Sequence, residues 1–283
     1  MKEEKFLQNY LKRIFKMIEK EKLVENGDKI FVGLSGGKDS ASALIALSQF
    51  LKESSLDFEL IGFHINLNLQ NSDRIEKVVR KQAKIASVNL LTINLKDIGI
   101  DLEKLAKNSN RPICSVCGII KRRLMNKIPR ERGATKVATG HHMDDFIVFF
   151  FKNILGRNFS WIAKFKPKIE SIHPKVLCKI RPLFYVSGKE NETFCKVSKI
   201  PFVPEDVCPF SDLKIKVEKK RWYELIYEIE EWQKDFRFQL AKSIEKMSNF
   251  FESKETPIRE CSICGEPTSQ EVCAFCKLTK KVK

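Results

Sequence analysis

Three groups of residues in this chain have the types and spacing to do chemistry. The first is Val32-Gly33-Leu34-Ser35-Gly36-Gly37-Lys38-Asp39-Ser40. Its glycines let backbone approach a phosphate, and a helix starting behind them aims N–H groups and a dipole at it. Lys38 adds a point charge; Ser35 and Ser40 add hydroxyl donors. Walker A spacing fails, because Val32 stands where its first Gly would have to be. The second group is Gly140-His141-His142-Met143-Asp144-Asp145. Its paired carboxylates suit Mg²⁺ beside a triphosphate, and equally the first turn of a helix. Zinc on His141 and His142 is disfavoured: adjacent residues do not face each other on a helix, and no third ligand is near in sequence. They read as nucleotide-shell or structural residues. The third group is cysteine. Cys114 and Cys117 form a CxxC with Lys121 four residues on, and Cys208-Pro209 follows later. Cys261, Cys264, Cys273 and Cys276 form two CxxC knuckles with eight residues between them, a spacing that suits tetrahedral Zn²⁺. Cys178 and Cys195 read as buried thiols.

The elements that must position these groups alternate. Asp28–Val32, Phe58–Asn66, Asn89–Leu95 and Lys136–Gly140 read as strands. Ala41–Leu47, Asp73–Ala86, Leu102–Lys107 and Cys117–Ile128 read as helices. Such alternation predicts an α/β fold, a doubly wound parallel sheet with helices on both faces. Ligands of such sheets sit beyond the carboxyl ends of the strands, where the glycine loop, His64 and the segment after Gly140 all fall. An amphipathic helix carrying Phe6, Leu7, Tyr10, Leu11, Ile14, Phe15 and Ile18 precedes the sheet. Phe146–Leu155 is apolar nearly all round and reads as a buried helix. Gly188–Lys199 reads as another, and Lys214–Ser253 as a helix pair whose basic face is solvated or lies on RNA. The expected units are residues 1–25, the helix; 26–212, the catalytic domain; 213–256, the helical region; and 257–283, the zinc module, with a basic tail from Lys277 to Lys283.

The 52 basic and 36 acidic residues give a net charge of +16, so nucleic acid or another polyanion is the natural partner. The N-terminus opens Lys2-Glu3-Glu4-Lys5 without the apolar core of a secretory signal, and the dense apolar run Phe146–Phe151 is too short to span a bilayer. A cytoplasmic setting without membrane is expected. There the nine cysteines stay reduced, so pairs at metal spacing point to metal.

The string Ser35-Gly36-Gly37-Lys38-Asp39-Ser40 resembles the pyrophosphate loop of the PP-loop ATPases. Joined to Cys114-Ser115-Val116-Cys117, Lys121, Gly140 to Asp145, Arg181-Pro182-Leu183 and Cys208-Pro209, it resembles their tRNA 2-thiolation branch, the TtuA/TtcA type. The C-terminal knuckles favour the TtuA side. The resemblance implies ATP-dependent adenylation of a pyrimidine O2 in tRNA, then displacement of AMP by sulfur. It implies Lys121, Asp145 and Asp39 as catalytic residues. It places ATP on Leu34, Ser35, Gly36, Gly37, Lys38, Asp39, Ser40, His64, Gly140 and Asp144, with adenine near His64 and Ile65 and with Mg²⁺. It places a 4Fe-4S cluster on Cys114, Cys117 and Cys208, one iron open, and Zn²⁺ on Cys261, Cys264, Cys273 and Cys276. A metal-free route, with a persulfide on Cys114 or Cys117 resolved as a disulfide, stays open. The partners implied are tRNA and a sulfur donor, either sulfide or a sulfur-carrier protein, with a homodimer left open. The chain departs from the pattern in two places. Its first 113 residues hold no Cys where TtuA-type members carry a zinc module, and His142-Met143 stands where Asn-Leu is usual. Competing readings are a PP-loop ligase of the lysidine synthetase kind, which needs none of the three cluster cysteines, and a non-catalytic RNA-binding protein. The intact glycine loop and Asp144-Asp145 argue against the latter.

Overall fold

The protein is described from a computed structural model, for residues 2–204, 207–210, 213–251 and 258–279. The expected unit boundaries at 212 and 256 and most of the basic tail lie outside those residues.

Helix α1 (Lys2–Lys20) leads into strand β1 (Lys29–Leu34), and the glycine loop passes directly into α2 (Lys38–Glu53). Then follow β2 (Glu59–Asn66), α3 (Ser72–Ala86), β3 (Asn89–Asn94), α4 (Leu102–Ser109), α5 (Ile113–Glu131), β4 (Lys136–Ala138) and α6 (Met143–Leu155). Beyond them lie β5 (Lys168–Ile169), β6 (Cys178–Ile180), α7 (Gly188–Val197), α8 (Leu213–Trp232) and α9 (Phe236–Ser248). A small hairpin of β7 (Arg259–Glu260) and β8 (Pro267–Thr268) and the short α10 (Ala274–Leu278) close the described chain.

Six strands form the main sheet in the order β3-β2-β1-β4-β6-β5. All neighbours pair in parallel except β5, which runs antiparallel to β6 at the edge. Sequence periodicity found four of these strands. It missed β5 and β6 because segments of two and three residues are too short to show alternation. The β1 and β2 sequences read as unbroken apolar runs because both faces of the sheet are covered. On one face Ile30, Val32, Ala138 and Ile180 pack with Tyr10, Leu44, Leu47, Phe146 and Phe194. On the other, Phe31, Phe63 and Val137 pack with Val116, Ile120 and Leu124 of α5.

Helix α6 starts at Met143, earlier than its apolar run, and is buried on one side alone. Phe149 is 37% and Leu155 71% exposed, against the expectation of burial all round. Among the described residues no helix is long and apolar enough to cross a membrane.

Candidate active site and cysteine centres

The carboxyl ends of β1, β2 and β4 bring the first two chemical groups together. Gly36 turns the loop at φ +82°, where a side chain would also press on Ile75 at 3.0 Å. Gly140 carries the close approach. A Cβ there would stand 2.7 Å from backbone atoms of Asp39 and Ser40, so β4 can end against the first turn of α2 only without one. The loop is tied internally. Ser35 N–H donates to Ser40 Oγ at 3.2 Å, Ser40 Oγ to the Gly37 carbonyl at 3.0 Å, and Gly37 N–H to Ser35 Oγ at 3.3 Å. Lys38 Nζ lies 3.1 Å from Asp39 Oδ2.

Asp39 is aimed by a buried relay. Tyr10 of α1 donates to Asn191 Oδ1 at 2.7 Å, and Asn191 Nδ2 donates to Asp39 Oδ1 at 2.9 Å. Motif reading had no access to Asn191, which lies 152 residues from Asp39. His64, at the end of β2, is buried. Its Nδ1 meets the Leu34 carbonyl at 2.9 Å, while Nε2 has no partner among the described residues. Burial lowers its pKa.

Asp144 and Asp145 open α6, but they are not equivalent. Asp144 is 1% exposed. Its Oδ1 accepts from Arg237 Nη1 at 2.9 Å, and its Oδ2 from Gly188 N–H and the Tyr227 hydroxyl, each at 2.9 Å. This carboxylate, read from sequence as a Mg²⁺ and nucleotide residue, therefore joins α6 to α7, α8 and α9. Asp145 accepts from Tyr223 at 2.7 Å and from His142 N–H at 3.3 Å, with Lys219 Nζ at 3.7 Å. Burial alone would raise its pKa; His142, Lys219 and the Tyr223 hydroxyl outweigh that and hold it at about 2. His142 sits among carboxylates, its Nε2 3.8 Å from Asp39 and 3.5 Å from Asp145. Nothing local in the sequence marks this place for His142. Tyr223 and Tyr227 fall in the segment read as a helix pair with a solvated or RNA-facing basic face, because their partners are fixed only by tertiary packing.

Cys114 and Cys117 fall in the first turn of α5, so both sulfurs face one side. The loop carrying Cys208 returns to them, with Cys114 Sγ 3.3 Å from the Phe210 carbonyl. Burial raises the Cys117 thiol; Lys121, one turn on, hydrogen-bonds it and acts the other way, and Cys208 and Cys114 are near enough to raise it further. Two thiols on one helical turn, with the Cys208 loop against them and a lysine beside them, are a donor set of the kind that leaves one iron of a cluster open. The C-terminal cysteines converge more tightly: the four sulfurs lie within 4.8 Å of one another. Cys273 N–H donates to Cys261 Sγ at 3.2 Å and Cys276 N–H to Cys273 Sγ at 3.4 Å, as thiolate knuckles require. Four sulfurs and no open position suit a structural zinc ion. This module is seated on α5: Arg123 Nη1 lies 3.4 Å from Cys264 Sγ with its guanidinium 4.4 Å over Phe275, and Arg130 pairs with Glu266 at 2.7 Å.

A parallel sheet whose strand ends carry a Gly-Gly-Lys-Asp loop defines a class of ATP-binding fold, and a family model described as a PP-loop domain matches residues 6–216. The tRNA-5-methyluridine(54) 2-sulfurtransferase of Pyrococcus horikoshii is 32% identical over 279 residues, covering 97% of this chain and 86% of that protein. The Thermotoga maritima enzyme of the same name is 29% identical over 96% of this chain and 87% of its own. The chain belongs to the PP-loop family, in its tRNA 2-sulfurtransferase branch. Its fold is similar to that of the U34-tRNA thiolase NcsA from Methanococcus maripaludis, solved with its [4Fe-4S] cluster. The TM-score is 0.81 at 22% identity, over 99% of this chain and 89% of the other.

Proposed function

We propose that this protein is an ATP-dependent tRNA sulfurtransferase that exchanges the O2 of a uridine, the 5-methyluridine at position 54, for sulfur. The observation that carries this reading is a segment that touches both centres: Val203 N–H donates to the Gly36 carbonyl of the phosphate loop at 3.0 Å, and Cys114 Sγ lies 3.3 Å from the Phe210 carbonyl, two residues past Cys208. The similarity to methyluridine-54 enzymes over nearly the whole chain, knuckles included, supports the position.

In this reading Ser35 to Ser40 hold the ATP phosphates, and Leu34, His64 and Gly140 border the nucleotide. Lys38 and the first N–H groups of α2 stabilise charge on the phosphates. Asp39, aimed by Asn191, orients them or the accompanying Mg²⁺. The pyrimidine O2 attacks the α-phosphorus, forming the O-adenylate and releasing pyrophosphate. A sulfur nucleophile then adds at C2, and AMP leaves with the former O2. Cys114, Cys117 and Cys208 would hold a [4Fe-4S] cluster, which would supply an iron free of protein ligands as a place for the sulfur donor. Lys121 stabilises negative charge near Cys117, and Asp145, ionised at working pH, accepts a proton or holds the base through His142. Asp144, with both oxygens taken by Arg237, Gly188 and Tyr227, serves the ATP site only by fixing α6 against α7. The Zn²⁺ ion on the four C-terminal cysteines is structural. The partners are tRNA and sulfide or a sulfur-carrier protein, in the cytoplasm.

The test is anaerobic incubation of cluster-reconstituted protein with ATP, sulfide and tRNA that carries 5-methyluridine at position 54 without the 2-thio group, followed by nucleoside mass spectrometry. The expected result is 2-thio-5-methyluridine in step with AMP, lost in Lys38→Ala. AMP formation without thionucleoside, or full thiolation by iron-free protein, overturns the reading.

A further inference from the structure

One buried side chain stands between the phosphate loop and the segment that leads to Cys208. Gln82 lies on α3 and is 0% exposed. Its Nε2 donates to the Gly36 carbonyl of the loop at 3.0 Å and to the Pro201 carbonyl at 2.8 Å. Its Oε1 has no hydrogen-bond partner among the described residues. An apolar side chain of the same length would fill this place without an idle buried acceptor, so packing alone does not call for an amide here.

The Gly36 carbonyl also accepts from Val203 N–H at 3.0 Å. Both its lone pairs are therefore taken, one from α3 and one from the segment. Ile75 of α3 and Val203 close over Gly36, with side-chain atoms 3.0 and 3.4 Å from where a Cβ would stand. From Val203 the ties run on toward the cysteine. Val207 N–H donates to the Pro204 carbonyl at 3.3 Å, and the Val207 carbonyl, next to Cys208, accepts from Asn71 Nδ2 at 3.3 Å. Beyond Cys208, the Phe210 carbonyl meets Cys114 Sγ at 3.3 Å.

A trans peptide is planar, so its carbonyl and its N–H point opposite ways. Holding the Gly36 carbonyl toward Gln82 and Val203 turns Gly37 N–H the other way, into the loop, where it meets Ser35 Oγ at 3.3 Å. This N–H belongs to the stretch read as receiving the phosphates. An anion that accepts from it polarises the amide and makes the Gly36 carbonyl a stronger acceptor. The two bonds on that oxygen then tighten, and with them the segment that carries Cys208.

We propose that Gln82 is a positioning residue that couples the nucleotide to the third cysteine. It sets the Gly36–Gly37 peptide for the phosphates, and through Val203 a filled loop steadies Cys208 beside Cys114. The inference rests on the reading of the ATP and cysteine centres above and adds the residue that makes the two act as one unit.

The test uses the full chain, iron-free, reduced and without tRNA. Labelling of Cys208 by iodoacetamide is timed by peptide mass spectrometry with and without saturating Mg²⁺–ATP. ATP affinity and thermal unfolding are measured on each variant. In wild type, ATP should slow the labelling of the half-buried Cys208. Gln82→Met keeps the length and loses the amide. It should weaken ATP roughly two- to tenfold, the range of one net hydrogen bond, and at saturating ATP it should lose the slowing. Asn71→Gly suits the left-handed backbone at φ +70° and cuts only the tie at Val207. It should keep its ATP affinity and lose most of the slowing. Slowing that survives in Gln82→Met overturns the coupling and assigns the protection to ATP covering the thiol. Unchanged ATP affinity in Gln82→Met overturns the setting of the loop peptide. If Gln82→Met does not fold, Asn71→Gly decides alone, and full slowing there overturns the route to Cys208. Wild-type protein that does not bind ATP overturns the functional reading and the coupling with it, whereas wild-type protein that binds ATP with no change at Cys208 overturns only the coupling.

Discussion

The Tyr223 hydroxyl donates to Asp145 at 2.7 Å across 78 residues of sequence, so a helix outside the sheet completes the surroundings of this carboxylate. Tyr223→Phe removes one of the groups that hold the Asp145 carboxyl at about 2. Its pKa should rise, and the acidic limb of the thiolation pH profile should move to higher pH. ATP affinity should change little. A profile identical to wild type would show that the hydrogen bond does not tune the carboxylate.

Arg237 and Asp144 form an ion pair with side chains 13% and 1% exposed. Replacing one partner strands the other away from water. Arg237→Met is therefore expected to destabilise by about 3–5 kcal/mol. Asp144→Asn in the same chain should recover part of that loss. Urea unfolding measures both, and additivity of the two changes would rule out coupling.

Two glycines near the loop give a matched pair. Gly140→Ala meets the backbone of Asp39 and Ser40 at 2.7 Å, which cannot give way without moving α2. Gly33→Ala meets the terminal methyl of Met125, a flexible side chain, at 2.6 Å. ATP binding should fall at least tenfold in the first and by much less in the second. Equal effects in an ATP titration would contradict this account of Gly140.

The glycine loop and the cysteine pairs were legible because their chemistry is local. Ser35 to Ser40 carry donors, charge and turn within six residues, and each CxxC fixes two sulfurs on one turn. Strands β1 to β4 announced themselves by apolar composition. What joins the site together was not legible. Asn191 reaches Asp39, and Tyr223, Tyr227 and Arg237 reach Asp144 and Asp145, from helices whose sequences show only amphipathic spacing. The strands β5 and β6 borrow their conformation from the neighbours they pair with.

His64 is buried, and burial holds its imidazole below the ordinary 6.5. The unfolded chain therefore takes up this proton first. The stability from His64 is present above about pH 6.5 and is lost as pH falls through the lowered folded value. Urea midpoints should drop as pH falls below 6.5, and His64→Gln should flatten the drop. A slope that survives the substitution would assign it to other groups.

Zinc should be removable separately from catalysis. The intact protein is expected to bind one zinc per chain, and Cys261→Ser should lower this toward zero and expose the segment after Arg259 to protease. It should leave ATP affinity within about twofold, since the knuckles sit on the outer side of α5 through Arg123 and Arg130. Metal analysis, limited proteolysis and an ATP titration of one sample decide it. Full zinc content in the variant would reject the four-sulfur assignment.

The engagement of Asp144 by Tyr227 and Arg237 also sets an order of events during synthesis. A ribosome makes the phosphate loop, the CxxC and the Asp pair well before it reaches residue 237. Until α9 has emerged, the buried carboxylate of Asp144 lacks its guanidinium, and only Gly188 at the start of α7 holds it. A nascent chain that stalls short of Arg237 holds nearly every motif of the enzyme without the competent edge.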